Sequence, residues 1–145
     1  MYELIELLEI KLPIQEKIGL TVVDGEFSSL LPRGDMGAFT LGHVKESVLK
    51  SIVSNVLDAK INSFNKTSNA QKILDKGIED FPFLNEAEIL RSIFVTRVVK
   101  VDVEESDERP TEVTDCGNGV YSIFAGKVIT CIDTAKEIAR MIGKS

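Results

Sequence analysis

The chain has 145 residues, 43% of them hydrophobic, which is enough for one real core and a second small unit. Its 23 acidic residues against 17 basic ones give a net charge of -6, and no Lys/Arg cluster exceeds a pair, so a surface for a nucleic-acid backbone is excluded as a reading. No apolar run approaches the roughly 18 residues of a membrane span, the start Met1-Tyr2-Glu3-Leu4-Ile5-Glu6 lacks a basic flank, and a cytoplasmic protein is expected.

In chain order, Tyr2 to Leu12 reads as a strand closed by Pro13. Gly19 to Val23 and Phe27 to Leu31 flank Asp24-Gly25 and predict a hairpin, and after the Arg33-Gly34-Asp35-Met36-Gly37 turn Ala38 to Leu41 predicts another short strand. From His43 the apolar spacing changes to three and four, with Val44, Val48, Leu49, Ile52, Val53, Val56 and Leu57, and predicts an amphipathic helix reaching Ala59. A short helix capped by Ser68 or Asn69 carries Ala70, Ile73 and Leu74 and stops at Gly77. Asn85 and Glu88 have the spacing of a capping box and predict a third, brief helix.

Ile93 to Val103 alternates Val95, Val99, Val101 and Val103 with polar residues and predicts a long half-buried strand, broken by the charges of Glu104 to Glu108. Thr111 to Asp115 and Val120 to Phe124 enclose Cys116-Gly117-Asn118-Gly119, a turn built for positive φ, and predict a second hairpin. After Gly126 a terminal helix follows, with Ile132, Ala135, Ile138, Ala139 and Ile142 inward and Gly143 as its stop. The expected architecture is α+β: a mixed, mainly antiparallel twisted sheet with helices on one face, followed by a C-terminal hairpin and helix. Cys116 and Cys131 read as reduced thiols, and with His43 the sole histidine no metal site is expected.

The chemistry concentrates at Gly119 to Thr130, a strand, a glycine turn and a helix start, where exposed backbone N–H groups and the helix dipole suit an anionic oxygen. Val120 to Ala135 resembles the closing segment of D-amino-acid oxidase-like and glycerol-3-phosphate dehydrogenase-like flavoenzymes, in which a strand, a Gly-Lys-x-x-Thr turn and a helix return beneath the flavin. Glu108-Arg109-Pro110-Thr111-Glu112-Val113 is similar to the Arg-Pro element preceding it. Ser29 to Gly34 leading to Phe39-Thr40-Leu41-Gly42 resembles the substrate-domain hairpin of the same superfamily.

The resemblance implies a substrate-binding cap domain over residues 1–105 and a returning segment of an FAD-binding domain over 106–145. It implies an FAD-dependent oxidoreductase that transfers a hydride from a small hydroxy or amino substrate to flavin. Gly126, Lys127, Val128, Ile129 and Thr130 are then the cofactor-binding residues, offering backbone donors to the pyrimidine edge. Arg109 becomes a catalytic-site residue that pairs the acid group of a substrate, its alternative being a surface arginine paired with Asp107 or Glu112. His43 either faces the catalytic cavity or joins a helix cap. Where amino-acid oxidases place a substrate-contacting tyrosine this hairpin has Ser29, so that activity does not carry over. The chain also lacks a G-x-G-x-x-G phosphate loop, so FAD is expected to come mainly from a missing N-terminal half or companion subunit, and the isolated chain is expected to be inactive. The competing expectation is a non-catalytic α+β binding or assembly module.

Overall fold

A computed structural model of the chain describes residues 1–22, 25–34, 37–54, 67–101, 111–124 and 128–143. The fold is α+β with a mainly antiparallel sheet. The chain divides into two compact units, Met1–Val99 and Lys100–Ser145.

The first unit is organised around β1 (Tyr2–Lys11), whose even positions are apolar apart from Glu6 and point to one face of the sheet. β6 (Glu88–Val98) runs antiparallel along one edge of β1 from Tyr2↔Val98 to Lys11↔Glu88. The other edge of β1 serves two strands in succession. β4 (Ala38–His43) pairs with Leu8 to Lys11, and β5 (Val48–Ile52) pairs with Tyr2 to Ile5. β3 (Ser28–Pro32) continues outward from β4, and β2 (Leu20–Thr21) from β3, completing six strands.

β4 and β5 lie on one edge of β1 and are joined by a turn over residues 44–47, in which the Ser47 N–H donates to the His43 carbonyl at 3.1 Å. The helix predicted from Val44 to Ala59 is therefore corrected: Val48 to Ile52 is a strand, and residues 55–66 lie outside the described residues. β-branched and apolar residues at helical spacing here satisfied two periods at once, and pairing with the open edge of β1 decided between them.

α1 (Ala70–Asp80) packs across the even face of the sheet. Leu8, Ile10, Leu12, Leu30, Phe39, Leu41, Ile73, Phe81 and Leu84 form the core. Gly77 does not end this helix, as its sequence position suggested. It lies inside the helix and is buried, and a Cβ there would come within 2.8 Å of Leu41 Cδ2 and 3.1 Å of Leu84 Cδ1. The glycine lets helix and sheet approach closely. The brief helix predicted at Asn85 is a 3-10 turn, Pro82–Glu86, and Glu88 already belongs to β6. Asn85 Nδ2 donates to the Pro82 carbonyl at 2.8 Å instead of starting a capping box. The long strand begins earlier than its valine alternation indicates, at Glu88 rather than Ile93.

The second unit contains the expected hairpin of β7 (Glu112–Asp115) and β8 (Tyr121–Phe124). Gly117, Asn118 and Gly119 all take positive φ in its turn, and Asp115 Oδ1 accepts the Gly117 N–H at 2.8 Å. Val128–Thr130 forms a 3-10 turn that leads directly into α2 (Cys131–Ile142), and the Gly143 N–H donates to the Ala139 carbonyl at 3.1 Å as the helix ends. The expected inward apolar face of α2 is also corrected. Ile132 and Ile142 are 64% and 57% exposed, Ala135 and Ala139 are exposed, and Thr134 is the buried residue of the helix.

Candidate functional site

Three places carry the residues singled out by sequence. The first is the C-terminal corner. There β8 leads through residues 125–127 into the 3-10 turn and α2, so a strand feeds a helix start as expected. Gly126 and Lys127 lie outside the described residues, as does Arg109. Val128 and Ile129 are 88% and 80% exposed. Thr130 stands at the N-cap of α2 without a side-chain cap bond to the helix. Its hydroxyl instead meets the Thr111 hydroxyl at 2.6 Å, and its carbonyl accepts the Thr134 hydroxyl at 2.8 Å. Thr111 thereby fixes the approach to β7 beside the start of α2. Lys100 pairs with Glu112 and lies 6.0 Å from the Phe124 ring centroid, adding a charged contact to the hairpin.

The second place is His43, the last residue of β4. It is 2% exposed. Its Nδ1 accepts the backbone N–H of Glu46 at 3.0 Å and of Lys45 at 3.3 Å, while its own N–H donates to Ser47 Oγ at 3.1 Å. The Ser47 carbonyl in turn accepts the Glu6 N–H of β1 at 2.8 Å. These bonds close the turn between β4 and β5 and engage Nδ1 of His43. His43 leads into this turn and the strand β5, so it caps no helix. At the solvent side of this turn Lys45 pairs with Glu26 at 2.9 Å, and that hydrogen bond holds the Glu26 carboxyl below its usual value and the Lys45 ammonium above its own.

The third place is the second face of the six-stranded sheet, the odd side of β1. Among the described residues of the first unit, α1 is the one α-helix, and it packs on the opposite face. The register sets rows of side chains across this surface. One row is Leu31, Thr40, Glu9 and Arg91; the next carries Ser29, Gly42, Leu7 and Ile93. Ile5 and Val95 form a third, and Glu3 and Arg97 a fourth. Leu7, Ile5 and Ile93 are half-buried and make an apolar floor, while ion pairs stand at both ends. Arg97 Nε donates to Glu3 at 2.6 Å, and Arg91 Nε donates to Glu9 at 2.7 Å. At Gly42 a Cβ would fall 2.7 Å from Leu7 Cδ2, so the glycine lets Leu7 lie down across the neighbouring strand.

Sequence reasoning missed Glu6. It lies on the apolar face between Leu4 and Leu8 and is fully buried. Its carboxylate accepts the Ser68 hydroxyl at 2.6 Å, the Asn69 N–H at 2.6 Å and the Ser92 hydroxyl at 2.5 Å. Ser68 Oγ accepts the Ala70 N–H at 3.1 Å, the cap expected of it, and Glu6 anchors that serine and ties the start of α1 to β6. The readable signal was a carboxylate in the even register of β1 among leucines and isoleucines.

Among the described residues no group of three or more His, Cys, Asp or Glu side chains could hold a metal ion, and no helix is long and apolar enough to cross a membrane. Comparison with models of known protein families, with curated proteins and with solved structures finds no match to this chain.

Proposed function

We propose that this chain is the substrate-side part of an FAD-dependent oxidoreductase acting on a small hydroxy or amino substrate, completed by a nucleotide-binding half that this sequence does not contain. The observation that carries the reading is the exposure of Val128 and Ile129, 88% and 80%, on the turn that feeds α2. A planar cofactor edge fits such a corner, because apolar side chains can lie against the ring while the helix start favours negative charge. Val128, Ile129 and Thr130, with Gly126 and Lys127 by resemblance, would hold that edge. The flavin, when bound, accepts the hydride.

In the same reading the second face of the sheet forms a pocket wall. Its half-buried floor of Ile5, Leu7 and Ile93 excludes water from one side of a small substrate. Exposed thiols at Cys116 and Cys131 suit a reducing compartment, and we place the protein in the cytoplasm. The competing reading, a non-catalytic binding or assembly module, draws on the outward apolar residues of α2 and needs no cofactor.

Co-expression with a nucleotide-binding half, followed by gel filtration with flavin absorbance, separates the two. The flavin reading expects a yellow complex whose reduction potential or turnover changes on replacing Lys127 or Arg109. A stable but colourless complex sinks it in favour of the assembly module.

A further inference from the structure

The two ends of the exposed sheet face are built differently. At one end Glu3 is matched by one arginine, Arg97, and the charges cancel. At the other, a single carboxylate oxygen of Glu9 receives Arg91 Nε at 2.7 Å and lies 3.5 Å from Arg33 Nη1. Glu9 is 14% exposed, whereas Arg91 and Arg33 are 62% and 44% exposed. One carboxylate therefore gathers two guanidiniums, leaving one positive charge in excess in a chain whose net charge is -6. Because Arg91 engages Glu9 through Nε, its two terminal nitrogens, without an ion pair among the described residues, form a forked pair of donors, the geometry that grips a two-oxygen acid. Lys17, whose ammonium donates to the Gly34 carbonyl at 2.9 Å, holds the chain immediately after Arg33.

A second exposed arginine adds little stability to a pair already made, since such surface pairs contribute ~0–1 kcal/mol each. Its position calls for another reason. Beside the guanidiniums, Leu31 is 53% exposed in the same row, and Leu7 and Ile93 occupy the next. A positive fork bordered by aliphatic side chains selects an anion with a short apolar body. The excess of one charge matches a carboxylate and leaves a phosphate dianion partly uncompensated.

We propose that Arg33 and Arg91, gathered on Glu9, form a binding site for a small aliphatic carboxylate on the exposed face of the six-stranded sheet. The site goes beyond the flavin reading, which assigns its acid-pairing arginine to Arg109, and it is measurable with no flavin present.

Titration of the isotopically labelled chain at low salt, followed by amide NMR, tests it with butyrate, butanol, butylammonium and inorganic phosphate as probes. Butyrate should shift the amides of Glu9, Thr40 and Arg91 saturably, with a dissociation constant of about a millimolar. Butanol and butylammonium should leave those amides in place, and phosphate should bind more weakly than butyrate. Arg91→Gln and Arg33→Gln should each weaken butyrate roughly tenfold, as expected for the loss of a charge-assisted pair. Arg97→Gln, on the same face but in a balanced pair, should change nothing. Arg91→Lys keeps the charge without the fork and guards against loss of folding; it should still weaken butyrate severalfold. Absence of saturable shifts overturns the site, as does an undiminished affinity in Arg91→Lys or an equal loss in Arg97→Gln.

Discussion

The two compact units treat their apolar residues in opposite ways. In Met1–Val99 Leu8, Ile10, Leu30, Leu41 and Ile73 are nearly inaccessible to solvent and share one continuous core. In Lys100–Ser145 Val128, Ile129, Ile132 and Ile142 face outward, Ile138 is half-buried, and among its described residues only Thr134 is buried. The first unit has the interior of a self-sufficient fold. The second exposes Val128, Ile129, Ile132 and Ile142, which the proposed nucleotide-binding half would cover.

The largest test of this contrast replaces matched aliphatic residues in the two units. Leu8 is fully buried and touches the centre of the core, so Leu8→Ala should lower stability by about 2–5 kcal/mol. Ile132→Ala removes a side chain that is 64% exposed and should stay within about 0.5 kcal/mol. Urea denaturation monitored by far-UV circular dichroism reads both. In a complex with the missing half the second value should rise, because Ile132 would then be covered. A large effect of Ile132→Ala in the isolated chain breaks the contrast.

Glu6 sharpens the comparison from within the first unit. Its carboxylate accepts three donors in an environment closed to water, so Glu6→Gln replaces one accepting oxygen by an amide that points hydrogens at hydroxyl or N–H donors. Unsatisfied buried polar groups cost about 1–3 kcal/mol each, and a loss of this size is expected, together with faster amide exchange at Asn69 and Ala70 as the start of α1 loosens. Unchanged exchange at those amides would show that α1 is held without Glu6.

How much of this was legible follows the range of the interactions. The hairpin at Gly117 to Gly119 was readable because its chemistry is local: three consecutive residues that tolerate positive φ specify the turn. The fate of Val48 to Ile52 was not, since its apolar spacing served helix and strand alike and the deciding partner, β1, lies far away in sequence. Gly77 looked like a helix stop for the same reason: what demands a glycine there is Leu41, on another element. At the candidate sites, a strand followed by the start of α2 was anticipated from local pattern, whereas the pairing of Arg33 and Arg91 on Glu9 required β3, β4, β1 and β6 to be placed in register. Arg109, Gly126 and Lys127 fall outside the described residues, so their roles rest on resemblance alone.

Gly77→Ala tests the close approach that distinguishes the first unit. Alanine gains about 1 kcal/mol in helix propensity over glycine, and overpacking a filled core costs about 1–3 kcal/mol. The added methyl meets the ends of Leu41 and Leu84, which have little room to retreat because both are fully buried. A net loss of about 1 kcal/mol is therefore expected in the denaturation midpoint, and a gain would mean that the helix floats free of the sheet.

The smallest effect is expected at the Glu26–Lys45 pair, which lies at the solvent edge of the first unit and is fully exposed. The hydrogen bond lowers the Glu26 carboxyl below its ordinary 4.5, so its stabilising contribution is present above that value and fades as pH falls through the depressed one. The same bond raises the Lys45 ammonium above 10.5, so that contribution is complete below 10.5 and fades as pH climbs past the raised value. Wild type and Glu26→Gln should thus differ slightly at neutral pH and converge in acid, and added salt should shrink the neutral-pH difference by screening. A difference that persisted in acid would trace to packing around the turn between β4 and β5 instead of to charge, and would move Glu26 from the solvent edge of this unit into its structural interior.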